Sequence, residues 1–221
     1  VLLRLLAGIQ ECDEGSLQYT NVQPDLRPRI GYVPQEAFIL NASVEDNIRF
    51  GLPETFHGDL RGVIEDCALL PDVAAMPAGL RTEIGERGVN LSGGQKQRIS
   101  LARAAYAHPG LLVLDDPLSA VDPATEHHLA DALLFGRLQG VTRIVATHRL
   151  DHLERFDMII VLNNGRITAI GSYAEVRDSI ADTNLNTKGK QARADPPHVH
   201  RWVGDQANGS ESSSGFVIEE D

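Results

Sequence analysis

Long apolar runs are missing from this sequence. Its longest, such as Met158 to Leu162, are only about a strand long, against the roughly 20 residues a membrane helix needs, so no segment is expected to insert directly into a bilayer. Cysteine is scarce as well. Cys12 and Cys67 stand apart with no CxxC spacing, which argues against a zinc site or a disulfide framework and fits reduced residues of a cytosolic domain. An excess of basic charge is also lacking: 20 Lys and Arg face 31 Asp and Glu, a net charge of −11. That leaves no electrostatic footprint for nucleic acid and no lysine block for an anionic membrane surface. Neither an initiator Met nor a signal-peptide pattern opens the chain, and it is expected to begin inside a larger polypeptide. What remains, 42% hydrophobic over 221 residues, suffices for one sizeable core with an appendage.

A pair of glycines and a pair of carboxylates, by contrast, stand in two neighbouring stretches. Leu91-Ser92-Gly93-Gly94-Gln95 opens a helix that reads from Gln95 to about His108, with Ile99, Ala102, Ala105 and Tyr106 on one apolar stripe and Pro109-Gly110 ending it. Two glycines let a backbone approach a ligand with no side chain in the way, and a helix N-terminus offers phosphate its unpaired N–H groups and positive dipole end. Such a turn alone is equally an ordinary loop. The next stretch weighs against that reading, because Leu111 to Leu114 is an apolar run ending in Asp115 and Asp116, as a buried parallel strand reaching a Mg-nucleotide crevice would be. Together LSGGQ and LLVLDD resemble the signature motif and Walker B strand of the ATP-binding-cassette (ABC) ATPases.

Further pieces stand in the order that family keeps. Residues 10–28 read as turns, with short strand pieces around Ser16 to Tyr19. Arg29 to Gln35 is a short β run broken by Pro34; Gln35, just outside its end, resembles the Q-loop Gln that touches Mg²⁺ and the attacking water, though a Gln there is usually a solvated loop residue. Ser43 with Asp46 opens a short helix, and Asp59 caps a second whose Leu60, Val63, Ile64, Cys67 and Ala68 share a face until Pro71 stops it. Residues 36 to about 105 thus resemble the α-helical subdomain of an ABC ATPase, and Thr82 to Gly88 the loop by which exporters contact their transmembrane domains. Pro117 to Asp122 resembles the D-loop, with Ser119 and Asp122 at a dimer interface. Asp122 and Pro123 also start a helix running to about Gly136. Thr142 to Thr147 is a β-branched, apolar strand delivering His148, which resembles the H-loop His on the γ-phosphate; a lone His at a strand end is otherwise a surface residue. Asn163-Asn164-Gly165 joins a hairpin, and Ser172 with Glu175 caps a last short helix.

The resemblance covers residues 1 to about 180, and in 31–35, 41–48, 82–104 and 114–122 it is close to the first nucleotide-binding domain of subfamily C, the multidrug-resistance-associated exporters. It implies an α/β fold, a P-loop NTPase-type ABC ATPase core of mixed sheet and flanking helices plus an α-helical subdomain. The domain is expected over 1–182, with 183–221, rich in polar residues, glycine and paired proline, a disordered linker toward a second transmembrane domain. ATP and Mg²⁺ are the implied cofactors. Asp116, His148 and Gln35 are the implied catalytic residues, Asp115 and Gln35 the Mg²⁺ ligands. Leu91, Ser92, Gly93, Gly94 and Gln95 bind nucleotide in trans. The implied partners are a second ABC ATPase domain and the transmembrane domains of one transporter, at the cytoplasmic face of a membrane, with no nucleic acid.

Two departures qualify this picture. In the family the VLLRLLAG pattern follows a G-x-x-x-x-G-K-[ST] phosphate loop, and no such loop lies in these 221 residues: Gly94 stands where Gly88 to Gly93 would need Lys, and Asn184 where Gly189-Lys190 would need its first Gly. The isolated stretch is therefore expected to be inactive. Asp116 holds a position that is normally Glu. One methylene less shortens the reach by ~1.5 Å, and a misplacement of about 1 Å can cost on the order of 10²-fold in rate, so the site on this Walker B is expected to be slow. The reading is an ATP-hydrolysing cassette that powers export; the alternative is an ATP-incompetent module for regulation or interaction. A DNA-repair ABC ATPase would place a long coiled coil between Gln35 and Leu91, and a translation factor of the superfamily basic inserts. The sequence has neither.

Overall fold

A computed structural model describes residues 1–19, 30–85, 88–186 and 216–219, and the chain falls into two compact units, Val1–His148 with Arg201–Asp221, and Arg149–His200. Three parallel strands organise the first unit. β5 (Leu111–Asp115) lies between β2 (Ile30–Val33) and β6 (Thr142–Ala146). Side chains alternate across β5: Leu112 and Leu114 enter the larger apolar cluster, while Leu111 and Val113 pack with Leu6 of α1 (Leu2–Leu6). Both faces of the strand are covered, which is why it reads as a continuous apolar run. The N-terminal helix ends at Leu6, and Gly8 then turns into the left-handed region at φ +68°.

The larger cluster is filled by α5 (Gly93–Tyr106), whose Ile99, Ala102, Ala105 and Tyr106 are fully buried. The Tyr106 hydroxyl accepts the Gly58 N–H at 3.2 Å, and Phe56 meets its ring edge-on at a centroid distance of 5.3 Å. Against α5 pack α2 (Val44–Arg49) and α3 (Leu60–Asp66), capped as expected: Ser43 Oγ accepts the Asp46 N–H at 3.1 Å and Asp59 Oδ1 the Gly62 N–H at 2.9 Å. One expectation fails here. Pro71 does not stop α3, which ends at Asp66 with Ala68 in the left-handed region at φ +53°; Pro71 instead sits in the first turn of α4 (Leu70–Ala75), where its missing N–H has no intrahelical acceptor to lose. Short β3 (Ala42–Ser43) and β4 (Glu83–Ile84) pair antiparallel.

Beyond β5, Asp122 caps α6 (Pro123–His128). The expected single helix to Gly136 changes pitch there, continuing as a π-helix over Leu129–Arg137. An apolar pattern that places Leu129, Leu133 and Leu134 in the core does not distinguish the two pitches. Arg137 pairs with Asp59 at 2.9 Å and with Asp66, tying the π-helix to α3. β1 (Ser16–Tyr19) pairs antiparallel with β9 (Phe216–Glu219), Ser16 opposite Glu219.

The second unit holds the hairpin of β7 (Ile159–Asn163) and β8 (Arg166–Gly171), turned by Asn164 and Gly165 at φ +52° and +78°, as a primed turn requires. Then comes α7 (Tyr173–Asn186), before which the Ser172 N–H and hydroxyl both donate to Glu175 Oε2 at 2.7 Å. The end of α7 and β9 lie within the span read as a linker; the rest of that span is outside the described residues. No helix among the described residues is long and apolar enough to cross a membrane.

Candidate functional site

Parallel strands end on one edge, and the candidate residues come to that edge in register. Val33 lies opposite Leu114 and Asp115 opposite Ala146, so Gln35, Asp115, Asp116 and His148 all follow the carboxyl ends of neighbouring strands, where open α/β sheets bind ligands. Gln35 is exposed in the bend after β2, and Asp115 is half-buried at the end of β5. Its charge is felt across the β2–β5 pair, where the Tyr32 phenol is pushed up chiefly by burial and next by Asp115.

Asp116 is the most constrained of the set. Its N–H donates to the Ala146 carbonyl at 2.8 Å, prolonging the β5–β6 pairing by one residue, and its φ of +48° then turns the chain out of the sheet. Asp tolerates that region better than most residues. The Asp116 carbonyl accepts from both the hydroxyl and the N–H of Ser119, at 2.9 and 3.3 Å. Its carboxylate side chain is only 8% exposed; Oδ2 lies 3.0 Å from Nδ1 of His148, which is itself 73% exposed, while Oδ1 is buried without a partner. With Nδ1–H donating to the carboxylate, Nε2 is the nitrogen His148 has left to offer a ligand. Asp122, farther along the same loop, accepts from the N–H groups of Ala124 and Thr125 and from the Thr125 hydroxyl at 3.1, 3.0 and 2.6 Å. Those bonds, the Thr125 hydroxyl first, hold its carboxyl below the usual carboxylate range.

The LSGGQ turn forms the N-terminus of α5. Leu91 is buried and anchors it; Ser92 and Gly93 are exposed. Ser92 Oγ accepts the Gln95 N–H at 3.2 Å and Gln95 Oε1 accepts the Ser92 N–H at 2.8 Å, a reciprocal capping box. The S-x-x-Q spacing carries that signal, a structural role beyond the ligand contacts expected of these residues. A Cβ added at Gly93 would meet no heavy atom within 4 Å, whereas one added at Gly94 would stand 2.9 Å from the Ala120 carbonyl oxygen. The turn is thus open at Gly93 and seated against the 117–122 loop at Gly94. No hydrogen bond or ion pair among the described residues joins it to Asp116 or His148.

Residues 1–119 match the family model described as ABC transporter. Similar proteins include rat ATP-binding cassette sub-family C member 3, 42% identical over 177 residues that cover 79% of this chain and 11% of that protein. The ABC-type transporter cicA of Emericella nidulans is 44% identical over 177 residues, 79% of this chain and 12% of its own length. Human ATP-binding cassette sub-family C member 2 is 45% identical over 162 residues, 72% of this chain and 10% of its own. The matched part spans about a tenth of each of these relatives.

Proposed function

Because the chain belongs to the ABC transporter family, as a nucleotide-binding domain similar to those of sub-family C, we propose that it is one of two cassettes whose ATP hydrolysis powers export across a membrane, working at the cytoplasmic face beneath transmembrane domains of the same transporter. Its LSGGQ turn completes the nucleotide site of the partner cassette, and its own strand-edge residues serve a second, slower site. The observation that carries this reading is the open turn at Gly93: capped and backed by its own helix, it presents first-turn N–H groups outward and makes no polar contact with Asp116 or His148. An anion cradle with no polar contact to Asp116 or His148 is free to take its phosphate from another cassette.

At the slower site, the Asp116 carboxylate, whose Oδ2 lies 3.0 Å from His148 Nδ1, is the group that takes the proton of an attacking water. His148 Nε2 is left to face the γ-phosphate. Hard oxygen donors at Asp115 and Gln35 suit Mg²⁺, which keeps several waters and substrate oxygens in its shell; its part is to neutralise phosphate charge. No group of three His, Cys, Asp or Glu gathers as a metal site among the described residues.

Gly93 also supplies the test. Among the described residues a Cβ there meets nothing within 4 Å, so Gly93→Asp in the full-length transporter is expected to leave the fold intact and to set a carboxylate against a phosphate only if another cassette brings one. Expected is a fall in ATP turnover on the order of 10²-fold with ATP still bound. Turnover near the unsubstituted level would falsify completion in trans.

A further inference from the structure

From the contacts of α4 we propose that Asp72 is a positioning residue for the LSGGQ turn, acting through Gln95 without touching nucleotide; the proposal rests on the reading of that turn as half of a nucleotide site. Asp72 Oδ1 accepts from Gln95 Nε2 at 2.7 Å, and Oδ2 accepts from Arg98 at 2.6 Å. The carboxylate and the guanidinium are 16% and 14% exposed. Arg98 is held further by the Ala68 carbonyl and, through Nε, by the Gly94 carbonyl at 3.3 Å.

The consequence lies in which end of the Gln95 amide faces Ser92. An ionised carboxylate only accepts hydrogen bonds, so Asp72 compels the NH₂ end of Gln95 to face it. The oxygen end is then left to accept the Ser92 N–H at 2.8 Å. Reversed, the amide would set NH₂ against N–H, donor against donor, and the capping box would open. While the box is closed, Ser92 Oγ serves as acceptor for the Gln95 N–H, and its own proton is left to be donated outward beside the first-turn N–H groups of Gly93 and Gly94. One carboxylate on a different helix therefore decides whether the donors of the turn converge. Arg98 neutralises that carboxylate, so its charge does not oppose a phosphate.

The experiment uses the full-length transporter with both cassettes and compares Asp72→Asn with the conservative variant Asp72→Glu. In Asp72→Asn Arg98 retains the Asn oxygen, the Asn NH₂ faces Gln95, and the Gln95 amide is driven to reverse. Asp72→Glu keeps a carboxylate that only accepts hydrogen bonds, so the Gln95 amide holds its orientation and the box stays closed. Expected for Asp72→Asn is kcat per folded transporter lowered by about tenfold with KM for ATP within about twofold, and for Asp72→Glu a kcat within about threefold of the unsubstituted transporter. A purely structural role predicts less folded transporter at unchanged kcat for both variants. The proposal is overturned if Asp72→Asn keeps kcat within twofold, or if Asp72→Glu is no better than Asp72→Asn. Gly93→Asp measured alongside separates the two failures: if it abolishes turnover while Asp72→Asn is silent, only the role of Asp72 is lost, and if Gly93→Asp is itself silent, the reading of the turn falls and takes the proposal with it.

Discussion

Asp116 carries two opposing demands in one side chain. Its backbone lies at φ +48° and its carboxylate bridges toward His148 with one oxygen while the other stays buried and unpartnered. Replacing it with Glu in the full transporter would extend the carboxylate toward the attacking water of the proposed slower site, where general-base help is typically worth about 10² to 10⁴-fold. Basal ATP turnover is expected to rise by at least tenfold on that scale, while stability falls by roughly 1 kcal/mol because a longer side chain suits the left-handed region less well. Steady-state ATPase assays and thermal unfolding check the two parts; unchanged turnover means that reach does not limit the site. The sequence put Asp116 and His148 in one implied catalytic set, but not in contact, since their 3.0 Å pairing follows from the β5–β6 register, which no local pattern encodes. Asp72 was invisible for a similar reason: its partners Gln95 and Arg98 lie 23 and 26 positions away, and only the packing of two helices joins them.

Helix starts were legible because caps are local chemistry. Ser43, Asp59, Asp122 and Ser172 each stand at the N-terminus expected for them, with a side chain within three residues as partner or backbone N–H as donor. Helix ends and pitch were less so. Pro71 announces a break without saying which helix it borders, and the change from α to π at Leu129 leaves the spacing of buried leucines nearly untouched. The caps also set an acid response. Asp59 and Asp122 have carboxyls held below the usual range, Asp59 first by the Gly62 N–H and then by Arg137, Asp122 first by the Thr125 hydroxyl. A depressed carboxyl stabilises the fold above its unfolded value of about 3.9 and loses that contribution as pH falls through the folded value. The thermal midpoint of the chain, followed by circular dichroism, is therefore expected to drop from about pH 4 downward, and Asp122→Asn to flatten that drop. Equal slopes for both proteins would show that the α6 cap contributes nothing to acid sensitivity.

For the molecule as a whole, the α/β class and the order of motifs were plain in the sequence, since a run like Leu111 to Asp116 admits few other settings. The pairing of β1 with β9 was not, because Ser16 and Glu219 belong to stretches without strong strand patterning. Residues 1–221 taken alone contain no phosphate loop, which supplies most of the charge-assisted donors to β and γ phosphates. Calorimetry on these residues is accordingly expected to register no Mg-ATP binding below about millimolar, on the scale at which a few weak polar contacts bind; a sub-millimolar titration would locate a cradle elsewhere in the chain. Gly94 bears on how the proposed pair of sites behaves in time. Between most loops a side chain is interposed, and by changing rotamer it takes up small displacements as a cushion does. Here the space a Cβ would occupy is 2.9 Å from the Ala120 carbonyl, so backbone meets backbone and there is no slack to take up. If two cassettes pair as proposed, a shift of the LSGGQ turn as it clasps one nucleotide would be handed at once to the loop leading from Asp116, on the side of the other. Two catalytic events in such a pair would then run on a common clock, the proposed slower site setting how long the faster one stays shut.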